Sequence, residues 1–474
     1  MIFTSYTYLV FLVLACLCHW LAPIRLRNAI LIGLSYWFYC SWQWQYGFLL
    51  LGVSLFTYYY GAWLTRRPSD GRLLAVGIGI ELLPLIYFKY SEFLLVSGAG
   101  ALRGLGVHIA PPVLDIALPL GISFFTFQGI AYLVHVAAGE TPFRRATDFL
   151  LFKAFWPQLI AGPIIRPGEI EAQITGTRTL SYPDVAAGLQ RIAHGCFKKV
   201  VLADLLAPYV DAAFLPGANP AAIDCAAGML GFGLQIYFDF SGYSDIAIGS
   251  ARLFGFTFPE NFDWPYAARS PQEFWNRWHM TLSRWIRDYL FTPLSFAARR
   301  HPRVAHIWLL LAMALCGLWH GAEWTFVLWG LWHGALLVLG QTWLKGLFRL
   351  SPGDGFRAGL VNAGRCGLTF GLVTLGWLLF RSQSVAQVGD MLHALLTLRG
   401  GLRPAVLREN ALMIIGAVFL GSLAARWLAS SRIVGLATGN ARWASAARGL
   451  YYALLVIATV IFDREARAFV YFQF

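Results

Sequence analysis

The stretch IWLLLAMALCGLWHGAEWTFVLWGLWHGALLVL, residues 307–339, decides the fold class. Two apolar runs, Ile307 to Leu318 and Thr325 to Leu339, flank the sequence Trp319-His320-Gly321-Ala322-Glu323-Trp324. Runs of this kind belong in lipid, where an ionisable side chain is expensive and usually faces a cavity or a partner. His320 is therefore a candidate for chemistry.

The same character extends outward through the chain. Of 474 residues, 58% are hydrophobic and only 13% are charged, and the mean hydropathy is +0.59. A soluble domain carries about a quarter charged residues, so an ordinary soluble globule is excluded. The expected class is an all-α polytopic membrane protein. Apolar segments fall near 2–23, 28–43, 46–64, 73–90, 115–138, 147–164, 186–214, 225–255, 305–320, 323–345, 358–380, 411–428 and 446–462. Polar interruptions reduce the expected spans to about ten to twelve. No linker or repeat divides residues 1–474, which read as one membrane domain.

The net charge of +13 could point to nucleic acid, but the basic residues sit at the ends of apolar runs and read as topology signals. Arg25 and Arg27, Arg66, Arg67 and Arg72, and the run Arg299-Arg300-His301-Pro302-Arg303 mark cytoplasmic loops. The segment 91–114, with Arg103 its only arginine or lysine, fits the external side as a loop. The amino terminus is then outside. Met1 to Ala22 lacks a basic leader and a small-residue cleavage site, and reads as a retained helix. The seven cysteines form no CxxC pair, which gives no metal or disulfide framework.

Polar residues concentrate in two further places. Asp239 and Asp245 are six residues apart, about 240° net around a helix, so they do not form a paired-carboxylate site. They are expected to make buried hydrogen bonds to neighbouring helices or to the arginines downstream. Residues 271–289 read as one amphipathic helix with Pro271 in its first turn. Asn276, His279 and Ser283 would share a face, and Arg284 would pair with Asp288. An interfacial helix anchored by tryptophans is one reading of this segment. The polar face with Arg277, Arg284 and Arg287 favours a cradle for a phosphate-bearing ligand. His320 and His333, thirteen residues apart, point about 220° apart, which disfavours a metal pair. His333 reads as a hydrogen-bonded structural histidine.

Several motifs in order, Pro119 to Gln128, Trp156 to Pro163, Phe238 to Asp245, Phe274 to Asp288, Gly317 to His320 and Phe469 to Phe474, resemble the membrane-bound O-acyltransferase family, and within it the bacterial alginate O-acetyltransferase branch. The resemblance implies a multi-helix fold around a central cavity, with re-entrant or interfacial helices. His320 matches the family's midplane histidine and His279 its second polar position. Leu133 to Val136, where an aspartate is expected, and Glu323, where a neutral residue is expected, depart from the pattern.

In acyl transfer from a thioester to a hydroxyl, His320 suits the general base. His279, Asn276 or backbone amides are candidate donors to the carbonyl oxygen. Expected substrate contacts are Asn276, Arg277, Ser283, Arg284, Arg287 and Trp319. The resemblance implies cytoplasmic acetyl-CoA as donor substrate, no permanently bound cofactor, an extracytoplasmic polysaccharide acceptor and periplasmic partner proteins in a bacterial inner membrane. A transporter with His320 as proton relay is the competing class, against which no internal repeat is found. A serine hydrolase using Ser283 or Ser241 lacks the GxSxG elbow.

Overall fold

Backbone groups in lipid have no water to bond, and every regular element among the described residues is helical. The computed structural model describes residues 2–68, 70–297, 302–348, 356–401, 403–408, 410–429, 442–463, 467 and 469–470. Among these, Gln45–Leu64, Gly71–Gly104, Arg357–Arg381 and Ser445–Phe462 are long and apolar enough to cross a membrane. Shorter apolar helices include Tyr6–Leu21, Ile122–Ala137, Val304–His320 and Ala411–Arg426. The protein is a polytopic membrane protein. Arg299, Arg300 and His301, expected to mark a cytoplasmic loop, lie outside the described residues, as do Tyr471 to Phe474.

The chain forms two compact units, Met1–Leu189 with Ala247–Pro259, and Gln190–Ile246 with Glu260–Phe474. It passes from one to the other within the helices Tyr182–Cys196 and Ala222–Leu253, and again between Pro259 and Glu260. With no linker at these crossings, composition carries no trace of the division.

In the first unit, Ile122–Ala137 is buried along almost its whole length. Tyr132 joins Phe143, Phe149 and Phe152 in an aromatic core, with the Tyr132 and Phe149 rings 4.6 Å apart. The buried Lys153 ammonium donates to the Phe125 carbonyl at 2.6 Å and lies 3.9 Å from Glu81. A methyl group on Gly129 would collide with that Glu81 carboxylate. The expected loop at 91–114 is corrected in part. Ser91–Gly104 is helical and continues Gly71–Leu85 through a widened turn at Ile86–Tyr90. Pro84 has no N–H to give the regular ladder, and a widened turn next to it keeps the chain helical.

In the second unit, Pro302–His320 and Trp324–Gln341 form a close hairpin. Glycine makes it possible: a methyl on Gly317 would strike the Phe326 carbonyl, and one on Gly330 the Met313 carbonyl. Small residues let helix backbones approach in this way where lipid offers no hydrophobic drive. Gly321 likewise leaves room for the Phe326 ring. The glycines around His320 and His333 thus serve packing. Phe356–Arg381 lies against Trp324–Gln341, where Gly376 faces His333 Nε2 and the Trp332 ring.

The two carboxylates of the long helix are paired with basic side chains of neighbouring helical segments upstream rather than with the arginines downstream. Asp239 pairs with Lys199 at 2.7 Å and accepts the Val470 N–H at 2.9 Å. Asp245 pairs with Arg191 at 2.6 Å and Lys198 at 2.7 Å. Asp239 and Lys199 are both buried, and a buried charge stripped of its partner costs about 3–5 kcal/mol.

Candidate active site

The single amphipathic helix expected over 271–289 is instead two short helices. Pro271–Trp275 opens with Pro271 in its first turn, as expected, and Ser270 accepts the Glu273 N–H at 3.1 Å. Met280–Trp285 follows, then a widened turn at Ile286–Phe291. The break falls at His279, whose φ of 40° and ψ of 55° are left-handed. Such a conformation costs a non-glycine residue about 1–3 kcal/mol and persists only where its surroundings impose it. Here two backbone bonds clasp the segment: Met280 N–H to Asn261 O and Asp263 N–H to Arg277 O, each 2.9 Å. Helical spacing therefore does not place Asn276, His279 and Ser283 on one face.

Asn276, Ser283, Arg284 and Arg287 nevertheless converge on a cavity of about 550 Å³, with Gln272, Trp275 and Met280. Leu309, Ala312, Met313 and Cys316 form its wall from the helix Pro302–His320. These positions recur at helical spacing, and His320 follows Cys316 on the same face. The lining runs from exposed Arg287 to buried Met313 and Cys316. Arg277 is not part of it. Its guanidinium donates to Glu273 at 3.0 Å and to Asp263 at 3.1 Å. Burial alone would raise the Glu273 carboxyl, but bonds from Arg269 and Arg277 hold it below its ordinary value.

His320 is buried in an aromatic box, its ring edge-on to Trp319 at 4.9 Å, Trp329 at 5.0 Å and Phe380 at 5.2 Å. The Trp319 indole also faces His279 at 6.2 Å, so both histidines adjoin one tryptophan. The arrangement places two buried imidazoles against one tryptophan, with a cavity of basic lining formed by the preceding turns of the helix that carries His320, a setting that suits proton transfer. His333 corrects the expectation of a hydrogen-bonded histidine: neither ring nitrogen has a hydrogen-bond partner among the described residues. Phe274, Trp275 and Trp329 surround it at 5.9, 5.3 and 4.9 Å, so ring packing holds it. Among the described residues no three His, Cys, Asp or Glu side chains converge as a metal site.

Sequence reading missed Asn261, whose Oδ1 lies 3.0 Å from His279 Nδ1. It also missed the cavity wall and the box residues Trp329 and Phe380.

The model of the membrane-bound O-acyltransferase family matches residues 143–364, a range that encloses the cavity, Asn261, His279 and His320. A probable alginate O-acetylase of Azotobacter vinelandii is 37% identical over 397 residues, 81% of this chain and 76% of its own. The chain belongs to the membrane-bound O-acyltransferase family. A peptidoglycan O-acetyltransferase of Helicobacter pylori is 33% identical over 400 residues, 78% of this chain and 74% of its own. A teichoic acid D-alanyltransferase of Bacillus subtilis is 30% identical over 287 residues, 57% of this chain and 69% of its own. This membrane-bound O-acyltransferase is accordingly an enzyme of acyl transfer.

Proposed function

We propose that the enzyme moves an acetyl group from cytoplasmic acetyl-CoA across the membrane for O-acetylation of an extracytoplasmic polysaccharide such as alginate. The observation that carries this reading is the cavity whose lining passes from Arg287 and Arg284 to Cys316, one helical turn before His320. Its volume suits part of a cofactor-sized donor, and arginines suit the donor's phosphates. Arg277, engaged with Glu273 and Asp263, supports the segment that carries the site.

In the proposed reaction His320 removes the acceptor hydroxyl proton as the new O–C bond forms. The donor's C–S bond breaks, and the departing thiolate takes the proton back from His320. Only the acetyl group crosses. The names of the relatives, which act on alginate, peptidoglycan or teichoic acid, favour an acceptor outside a bacterial inner membrane. Basic loops after the first and third apolar segments favour an external amino terminus. Periplasmic partner proteins would complete delivery to the polymer. No permanently bound cofactor is invoked.

The test compares acetyl ester content of the exopolysaccharide in cells carrying the wild-type protein and His320→Ala at equal membrane abundance. Loss of esters with unchanged polymer output is expected. Unchanged esters would refute the assigned base, and loss of the polymer itself would point to transport of a precursor.

A further inference from the structure

We infer that Asn261 is a positioning residue that fixes His279 as the tautomer protonated on Nδ1, so that His279 offers a bare Nε2 to the reaction as a hydrogen-bond acceptor. The inference rests on the acyl-transfer reading for its function, but its geometry stands alone. Asn261 and His279 are both buried. The Asn261 amide cannot be turned around, because one of its terminal atoms accepts the Thr281 backbone N–H at 3.2 Å. A backbone N–H only donates, so that atom is the oxygen. The amide nitrogen on the other side donates to Ser244 Oγ at 3.2 Å.

The same oxygen lies 3.0 Å from His279 Nδ1 and 2.9 Å from Thr281 Oγ1. Two acceptors cannot share a hydrogen bond, so Nδ1 carries the proton. In a neutral imidazole the other nitrogen then holds a lone pair. His279 Nε2 has no hydrogen-bond partner among the described residues. Burial pushes the His279 pKa down to about 3, consistent with the neutral ring. Phe240 at 4.6 Å and Trp319 at 6.2 Å wall the imidazole.

The assignment changes the role expected for His279. A bare Nε2 cannot donate to a developing carbonyl oxygen; it accepts a hydrogen bond from an N–H or O–H of the bound substrates other than the proton His320 removes, and so orients them beside His320. Donors to the carbonyl oxygen must come from elsewhere in the site. The backbone carbonyl of the same residue accepts the Met280 N–H and so holds the left-handed turn at His279 whatever side chain stands at 261.

Two measurements test the proposal. In wild-type protein labelled with ¹⁵N-histidine, with His279→Gln used for assignment, His279 Nε2 is expected at the pyridine-type shift and Nδ1 at the pyrrole-type shift. The reverse pattern overturns the assignment whatever the activity. In kinetics at equal folded abundance, Asn261→Ala should lower kcat by roughly 100-fold or more with the donor KM nearly unchanged. Asn261→Asp retains an acceptor for Nδ1–H, so it should restore much of kcat and move the acid limb of the kcat profile to higher pH. Wild-type kcat in Asn261→Ala, or Asn261→Asp no better than alanine with an unmoved limb, would overturn it. If wild-type protein transfers no acyl group to hydroxyl acceptors, the acyl-transfer reading fails, and the nitrogen shifts still decide the tautomer.

Discussion

Cys316 and His320 leave the helix Pro302–His320 one turn apart on the same face, and Cys316 lines the cavity while His320 sits in the aromatic box. The cavity wall therefore lies on the helix face that carries the imidazole. Enlarging the side chain at 316 should block the approach while leaving the histidine itself unsubstituted. Cys316→Phe is expected to abolish most transfer, whereas Cys316→Ala, which removes one sulfur and costs about 1 kcal/mol, should retain it. Acetyl transfer by purified protein in detergent checks both. Full activity in a folded Cys316→Phe variant would show that the donor takes another route.

The arginines of residues 277–287 should separate into two kinds. Arg287 is exposed and lines the cavity, with Asp288 2.7 Å away. Arg277 is held by Glu273 and Asp263. A charge-assisted hydrogen bond contributes about 1.5–3 kcal/mol, so Arg287→Gln is predicted to raise the donor KM roughly 10-fold or more with little change in unfolding temperature. Arg277→Gln should do the converse, lowering the unfolding temperature more than it changes KM. Steady-state kinetics beside thermal unfolding decides it, and a raised KM in Arg277→Gln alone would reverse the assignment.

Burial of His279 carries a pH signature. Its folded pKa of about 3 lies below the ordinary histidine value, so between the two the unfolded chain binds a proton that the folded protein does not. The His279 contribution to stability should therefore be constant above about pH 6.5 and fall by roughly 1 kcal/mol per unit as the pH drops from there toward 3. His279→Gln, neutral throughout, should lose that part of the slope. Thermal unfolding at about pH 5 and about pH 7.5 makes the comparison. Identical acid slopes in the two proteins would mean that His279 is hydrated in the folded state.

How much of this was legible in the sequence depended on range. Apolar length and charge scarcity specified the helical membrane class, and the ordered motifs specified the family. Pro271 correctly marked a helix start. Periodicity failed from His279 onward, because a left-handed residue ends the helix and nothing in the sequence Trp278-His279-Met280 forbids helical continuation. Asn276, Ser283, Arg284 and Arg287 were picked for a shared helix and do meet, but at a cavity whose other wall comes from Leu309 to Cys316. Asn261 was invisible for a related reason: its partner lies eighteen residues away and no single helix carries both.

The glycines of the 307–339 hairpin offer the most direct test of why that stretch reads as it does. Gly330 lies so close to Met313 that a methyl group would strike its carbonyl, whereas nothing lies within 4 Å of a methyl on Gly371. Gly330→Ala must then push Pro302–His320 and Trp324–Gln341 apart, at a cost of about 1–3 kcal/mol typical of overpacking. Because Trp329 precedes Gly330 and packs on His320, the imidazole should shift with it. The expected result is a lower unfolding temperature together with a loss of acyl transfer larger than the loss of folded protein. Gly371→Ala should instead stabilise by up to about 1 kcal/mol through helix propensity and leave transfer intact. Equal unfolding temperatures and equal activities for the two variants would show that close backbone approach does not hold His320 in place.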